Sequence, residues 1–437
     1  MKTDTFGREM PTENKKTDFT SKLKTQNSAL GLQSSPFRDA GQVADLSAEI
    51  RELTAVTERN WKIMEICGTH TMSIYRYGIR QLLPPSISLI SGPGCPVCVT
   101  PAGLIDAAID LARDPKIILC SFGDMLRVPG LNGSLLEAQA EGASVRLVDS
   151  PLKALDLARE NPEKEIVFFA VGFETTAPTT AAVIEIAAAQ GMKNFFILPA
   201  HKTMPQALKA LFTEETNMVS NERKMATNNK KTNFNSKLKT QNSKPGLQSS
   251  PVDALLCPGH VAAISGAQAF AFVPDQLGKP AAIAGFEPVD IMLALRLLVE
   301  QLATGKAGLV NAYPRFVTSQ GNLEAQSLVK RVFQEEGTWW RGLGLIENSG
   351  LALRSQYRDF DGAHRFGLDL TAYAEEEPPG CRCGEVLRGR LAPGECPLMG
   401  EICNPENPVG PCMVSSEGSC AAYYRYQNIV KSPTKNL

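Results

Sequence analysis

The chain has 437 residues, more than one hydrophobic core usually organises, so two or three compact units are expected. Its hydrophobic content of 43% is ordinary for a globular protein, and no uninterrupted apolar run is long enough to cross a bilayer. Forty-five basic against 46 acidic side chains leave a net charge of -1, which supplies no global attraction for nucleic-acid phosphates and argues against that class of partner.

The chain opens with Met1-Lys2-Thr3-Asp4-Thr5-Phe6, a polar stretch without the apolar core of a signal peptide, so a cytoplasmic protein with no membrane partner is expected. Residues 14–36 return almost unchanged as residues 229–251. Both copies are rich in Lys, Asn, Ser and Thr and lack helical or strand periodicity, so neither buries enough apolar surface to offset chain entropy. Residues 1–43 and 217–251 are accordingly expected to be disordered. Two distant copies read as a duplicated insert, since a solenoid needs several adjacent ones.

Elsewhere, short apolar runs alternate with amphipathic helical stretches. Residues 61–66 and 87–90 read as strands, 102–113 as a helix, and further strands are expected at 117–120, 145–148, 166–169, 195–198, 254–257 and 281–284. Buried strands separated by helices imply parallel sheets covered on both faces, hence an α/β fold in two lobes. The lobes are expected at residues 44–150 and 151–310, followed by a C-terminal part at 311–437. Unusual loops follow the strand ends: Gly92-Pro93-Gly94-Cys95, Ser121-Phe122-Gly123-Asp124, Gly172-Phe173-Glu174-Thr175-Thr176, Pro199-Ala200-His201-Lys202 and Cys257-Pro258-Gly259-His260. That edge of a parallel sheet binds ligands, so five such loops suggest a shared cleft, beside the plainer reading that Gly and Pro simply make the turns.

Eleven cysteines in a cytosolic chain read as metal ligands or redox thiols rather than as a disulfide framework. The first motif, Glu65-Ile66-Cys67-Gly68-Thr69-His70, sets a thiol beside an imidazole. Cys67 is then either a ligand or nucleophile, or a small buried hydrophobe. The second, Cys95-Pro96-Val97-Cys98, is a C-x-x-C pair in a rigid turn, able to share a metal or close a disulfide, with a helix starting near Pro101 to favour thiolate. Convergence of Cys67, Cys95, Cys98 and His70 would instead make a closed Cys3His zinc site. Thr175 or Thr176 reads as a helix N-cap with Pro178 in the first turn. No Walker loop occurs, because the Gly-Lys pairs at Gly278 and Gly305 run into Pro280 and Ala307. His201 and His260 read singly as structural histidines, and Cys120 and Cys257 as core residues. The remaining six cysteines, Cys381, Cys383, Cys396, Cys403, Cys412 and Cys420, crowd a Gly- and Pro-rich tail with little regular pattern. Such a segment needs an iron-sulfur cluster or zinc to fold, and four ligands would leave two thiols for redox exchange. The set Cys383, Cys396, Cys403 and Cys420 is the expected ligand group, with Cys381 and Cys412 left over.

Taken together, Cys67-Gly68-Thr69-His70, Gly92 to Cys98, Gly172 to Thr176, Cys257-Pro258-Gly259-His260-Val261 and the six-cysteine tail resemble the HypD family of hydrogenase maturation proteins. The resemblance implies two Rossmann-like lobes and a small part bearing a [4Fe-4S] cluster. It also implies a complex with HypC in which iron acquires two cyanides and one carbon monoxide, cyanide delivery by HypE, and eventual service to the hydrogenase large subunit. By motif, Cys67 is the implied iron ligand, Cys95 and Cys98 the nearby thiol pair and His70 a supporting group. Two other classes compete: a free-standing cluster-dependent thiol-disulfide oxidoreductase, and a structural zinc protein.

Overall fold

The computed structural model describes residues 35–57, 59–212, 252–370 and 377–430. The expectations of disorder at residues 1–34 and 217–251 lie outside the described residues. The extension expected to run to residue 43 ends earlier, in a turn at Pro36–Arg38 and a helix at Ala40–Ala55. Asp39 caps that helix by accepting the Gln42 N–H at 2.9 Å. Val43, Leu46, Ile50 and Leu53, spaced three or four apart, pack with the helix Pro288–Thr304 into one core.

The strands are β1 (Trp61–Glu65), β2 (Ile87–Ser91), β3 (Ile117–Ser121), β4 (Val145–Leu147), β5 (Glu165–Gly172), β6 (Phe195–His201), β7 (Ala254–Pro258), β8 (Ala281–Ala284), β9 (Leu309–Asn311), β10 (Phe333–Trp340) and β11 (Gly344–Leu353). All pairings among β1 to β9 are parallel. Central strands β3, β7 and β8 are buried at every position, because helices cover both faces of each sheet. The α/β fold expected from the sequence is present.

Strand order corrects the expected lobes at 44–150 and 151–310. One sheet runs β2-β1-β7-β8-β9 and the other β4-β3-β5-β6. The chain lays down β1 and β2, builds the whole four-stranded sheet, and returns to place β7 beside β1, with Ile63 opposite Ala254 and Glu65 opposite Leu256. The first sheet is therefore discontinuous in sequence. In it the order reverses between β1 and β7, and in the second between β3 and β5, giving each sheet a crevice at its carboxyl edge.

The antiparallel hairpin β10–β11 was not anticipated. It docks at the end of β6, where the Thr203 N–H donates to the Ser349 carbonyl at 2.8 Å, and the Arg341 N–H donates to the Val99 carbonyl at 2.8 Å. The hairpin thus ties the second sheet to the C-x-x-C loop. Among the described residues no helix is long and apolar enough to cross a membrane.

Candidate functional site

The crevice between β1 and β7 is where the first sheet concentrates its chemistry. Cys67 leaves β1 as the cap of the helix Gly68–Arg76, and His260 leaves β7 in the first turn of Gly259–Ser265. Because β1 and β7 are neighbours, their loops face each other and bring Cys67 Sγ to 3.8 Å from His260 Nδ1. Burial pushes the Cys67 thiol up to about 12, with the Glu417 carboxylate adding to the effect, and burial pushes His260 down to about 4. Both shifts disfavour transfer of the thiol proton to the imidazole, because burial penalises the charged form of each. The pair is therefore a neutral thiol beside a neutral ring until a cation arrives to favour thiolate.

His70 does not join this pair. Its Nε2 lies 2.9 Å from the Gly285 carbonyl and its ring packs on Phe286, while Nδ1 is buried without a hydrogen-bond partner. Among the described residues no three His, Cys, Asp or Glu side chains stand as a ready-made metal cage, so the closed Cys3His arrangement is not formed. His260, read from the sequence as structural, is the imidazole beside Cys67. The missed signal was topological: adjacency of β1 and β7 is invisible in their local patterns.

The C-x-x-C loop lies directly above. Gly94 packs on the backbone of Ile66 and Cys67, and a Cβ there would collide with it. The Gly68 N–H donates to the Gly94 carbonyl at 3.0 Å, locking the two thiol loops together. Gly94→Ala is therefore expected to leave the helix and strand content intact but to unlock Cys67, which is only 1% exposed. Its alkylation by iodoacetamide should accelerate at least about tenfold, because protection of a buried thiol reports the cost of local opening. Unchanged labelling of Cys67 would show that the loops are not coupled.

A tail segment, residues 415–417, straps this region. Cys95 Sγ donates to Ser415 Oγ at 3.3 Å and accepts from the Cys98 N–H at 3.2 Å. Asp124, in the short helix Gly123–Leu126 after β3, accepts from the Ser416 N–H and Oγ at 2.9 and 3.0 Å. Thr69 Oγ1 donates to Glu417 at 2.6 Å. Ser415, Ser416, Glu417 and Asp124 thus join the carboxyl edges of both sheets around the thiols, although the sequence reading singled out none of the three tail residues. Phe173 stacks on Trp340 with ring centroids 5.7 Å apart and shares a core with Cys95 and Cys98. Four of the five unusual loops therefore meet here. The fifth divides: His201 turns into the second sheet, against Thr180 and Phe333, whereas the buried Lys202 donates to the Trp339 carbonyl at 2.7 Å and lies over the Trp340 ring. Cys120 and Cys257 are fully buried in strands, as expected of core residues. Thr176 does cap the helix Ala177–Ala189, but its hydroxyl bonds back to the Phe173 carbonyl and not to the helix.

Five of the six tail cysteines, Cys381, Cys383, Cys403, Cys412 and Cys420, pack in the core that holds Cys95 and Cys98, and the half-buried Cys396 lies outside it. The Cys412 thiol lies beside those of Cys383, Cys420 and Cys98, and Cys381 lies beside Cys383. All eleven cysteines are free thiols. The Val409 N–H donates to Cys403 Sγ at 3.4 Å. A Cβ on Gly410 would sit 2.5 Å from Cys381 Sγ and 2.8 Å from Cys383 Sγ, so this glycine keeps open the space between sulfurs. A sulfur-only donor set, a backbone N–H aimed at sulfur and a glycine-cleared gap fit a cysteine-ligated iron-sulfur cluster. Cys412 is nearer to the C-x-x-C pair than its place in the sequence suggested.

Comparison with known proteins bears on what this arrangement serves. The family model "HypD: Hydrogenase formation hypA family" matches residues 42–427. The chain is 45% identical over 392 residues to "Hydrogenase maturation factor HypD" of Azotobacter vinelandii, covering 89% of this chain and 95% of that one. It is 44% identical to "Hydrogenase expression/formation protein HupD" of Azotobacter chroococcum mcd 1, with the same coverage. To "Hydrogenase maturation factor HypD" of Escherichia coli (strain K12) it is 41% identical, covering 90% of this chain and 97% of that one.

Proposed function

The chain belongs to the HypD family of hydrogenase formation proteins, and from that premise we propose that it is a cytoplasmic maturation scaffold on which iron gains two cyanides and one carbon monoxide. The observation that carries the reading is the Cys67–His260 pair at the β1/β7 crevice. Iron is the cargo here. Cys67 binds it as thiolate, a soft donor suited to iron carrying strong-field ligands, and the remaining positions stay open for HypC and for cyanide brought by HypE. The finished unit then passes to the hydrogenase large subunit. His260 takes the supporting role first given to His70, since its Nδ1 is the ring nitrogen facing the sulfur.

Cys383, Cys396, Cys403 and Cys420 would hold a [4Fe-4S] cluster, which when bound supplies single electrons. The C-x-x-C pair supports thiol chemistry beside the cargo: Cys98, its thiol held well above the usual range by burial, touches Cys412. When Cys95 and Cys98 are joined as a disulfide, attack of the Cys412 thiolate on Cys98 Sγ would form a Cys412–Cys98 disulfide and release Cys95 as thiolate, connecting the tail to the pair. The same contact supports a second reading, a free-standing thiol-disulfide oxidoreductase.

Metal analysis of protein purified without oxygen, alone and with HypC, separates the readings. Iron above the cluster complement is expected for the scaffold, cluster iron alone for the reductase, and zinc for a structural protein. Within the scaffold reading, His260→Ala should weaken retention of the extra iron by about 10- to 100-fold, the usual cost of removing a group that supports a metal ligand. His70→Ala should cost less at the iron. The reverse ranking would return the supporting role to His70.

A further inference from the structure

Strand β2 is the outer strand of the first sheet, paired with β1 on one side only. The Trp61 N–H donates to the Ser86 carbonyl at 2.7 Å and the Gly92 N–H to the Glu65 carbonyl at 2.8 Å, so the even-numbered residues of β2 turn their backbone groups towards β1. Those of Ile87, Leu89 and Ser91 point outward. The Ile87 N–H is taken by the Pro84 carbonyl at 3.0 Å, and the Leu89 carbonyl by the Arg80 guanidinium. Among the described residues no hydrogen bond reaches the N–H of Leu89 or either backbone group of Ser91. A bare strand edge pairs readily with another chain unless something covers it.

Here the cover stands off from the edge. Gly389 packs on Met64 and Ile90 on one face of the sheet. Gly394 packs on Tyr423, whose ring meets Tyr75 of the helix on the other face, with centroids 6.1 Å apart. Residues 389–395 thus wrap round β2 without pairing with it, and leave a slot of about 540 Å³ lined by all five residues of the strand. Five strand residues span about 17 Å, so the slot accepts one extended segment of that length. Its two sides differ. Leu83 and Leu89 line one of them, while the other carries the exposed Ser88, Lys62 and Arg390. Arg80 in the lining is already paired with Glu65, and Glu395 is the lining's carboxylate. Successive side chains of a strand point to opposite faces, so an occupant that suits both sides alternates apolar with acidic residues.

We propose that this slot docks an extended, acidic segment of a partner protein, added outside β2 as a sixth strand of the first sheet. Its backbone takes the free groups of Leu89 and Ser91, its acidic side chains meet Lys62 and Arg390, and its apolar ones lie against Leu83 and Leu89. Because β2 runs into the C-x-x-C loop and residues 389–395 run into Cys396, the docked strand lies between two thiol-bearing segments. Docking needs no iron, so it stands or falls independently of the scaffold reading.

Fluorescence anisotropy of the full chain with labelled, capped pentapeptides tests it. Val-Glu-Val-Glu-Val should bind saturably, one per chain, and Val-Lys-Val-Lys-Val at least about tenfold more weakly. N-methylating the amides along one edge of the acidic peptide should abolish binding, whereas the same change along the other edge should cost less than about threefold. Amide hydrogen exchange at Leu89 and Ser91 should slow at least about tenfold in the complex. Arg390→Glu, on the exposed surface, should weaken the acidic peptide about tenfold and favour the basic one, without moving the melting temperature. The proposal is overturned if the acidic peptide does not bind saturably, if the lysine peptide binds as tightly, or if N-methylation of either edge leaves binding intact. A dimer in sedimentation that Arg390→Glu dissociates would give the edge to a second copy of the chain instead, and would equally overturn it.

Discussion

Replacing Cys67 with alanine is expected to abolish hydrogenase maturation while leaving the iron content of the isolated protein's tail unchanged. Cys67 sits at the β1/β7 crevice with its sulfur facing His260, whereas the tail thiols associate among themselves and with Cys98. Alanine removes the donor but fits a position that is already buried, so the fold should tolerate it at a cost of about 1 kcal/mol. Infrared bands of iron-bound cyanide and carbon monoxide should disappear from the complex with HypC. Circular dichroism and the visible spectrum should remain those of the wild type. Bands persisting at full intensity would remove Cys67 from the ligand set, and simultaneous loss of tail iron would show that the two sites are not separable.

Single serine substitutions across the six tail cysteines are expected to divide into two classes. An oxygen donor is harder than sulfur and binds a cluster poorly, so Cys383→Ser, Cys396→Ser, Cys403→Ser and Cys420→Ser should each lose most of the visible absorption and the Mössbauer signature of a [4Fe-4S] centre. Cys381→Ser and Cys412→Ser should retain them. Cys412→Ser should also lose redox communication with the C-x-x-C pair, because Cys412 is the tail thiol beside Cys98. That defect is read as a Cys95–Cys98 disulfide that no longer becomes reduced when the protein is treated with dithionite. Uniform loss in all six variants, or zinc in a colourless wild-type protein, would refute the assignment. Cluster loss in Cys412→Ser with retention in Cys420→Ser would exchange those two roles.

The α/β fold and the chemical inventory of the site were legible in the sequence. Fully buried strands such as β3, β7 and β8 announce themselves as short apolar runs, because a strand covered on both faces has no polar side to interrupt it. The thiols were equally legible, since cysteine spacing and Gly/Pro punctuation are local properties of the chain. Only the tertiary structure decided which strands are neighbours. Pairing of β1 with β7 joins segments about 190 residues apart, and nothing in either apolar run specifies its partner. That pairing discarded contiguous lobes, exchanged His70 for His260 beside Cys67, and carried the tail back over the C-x-x-C loop so that Ser415 reaches Cys95 and Cys412 reaches Cys98. Spacing along the chain lists the donors available to a site. Their convergence depends on non-local packing, whose energy is shared among many weak contacts and is not encoded in any one motif.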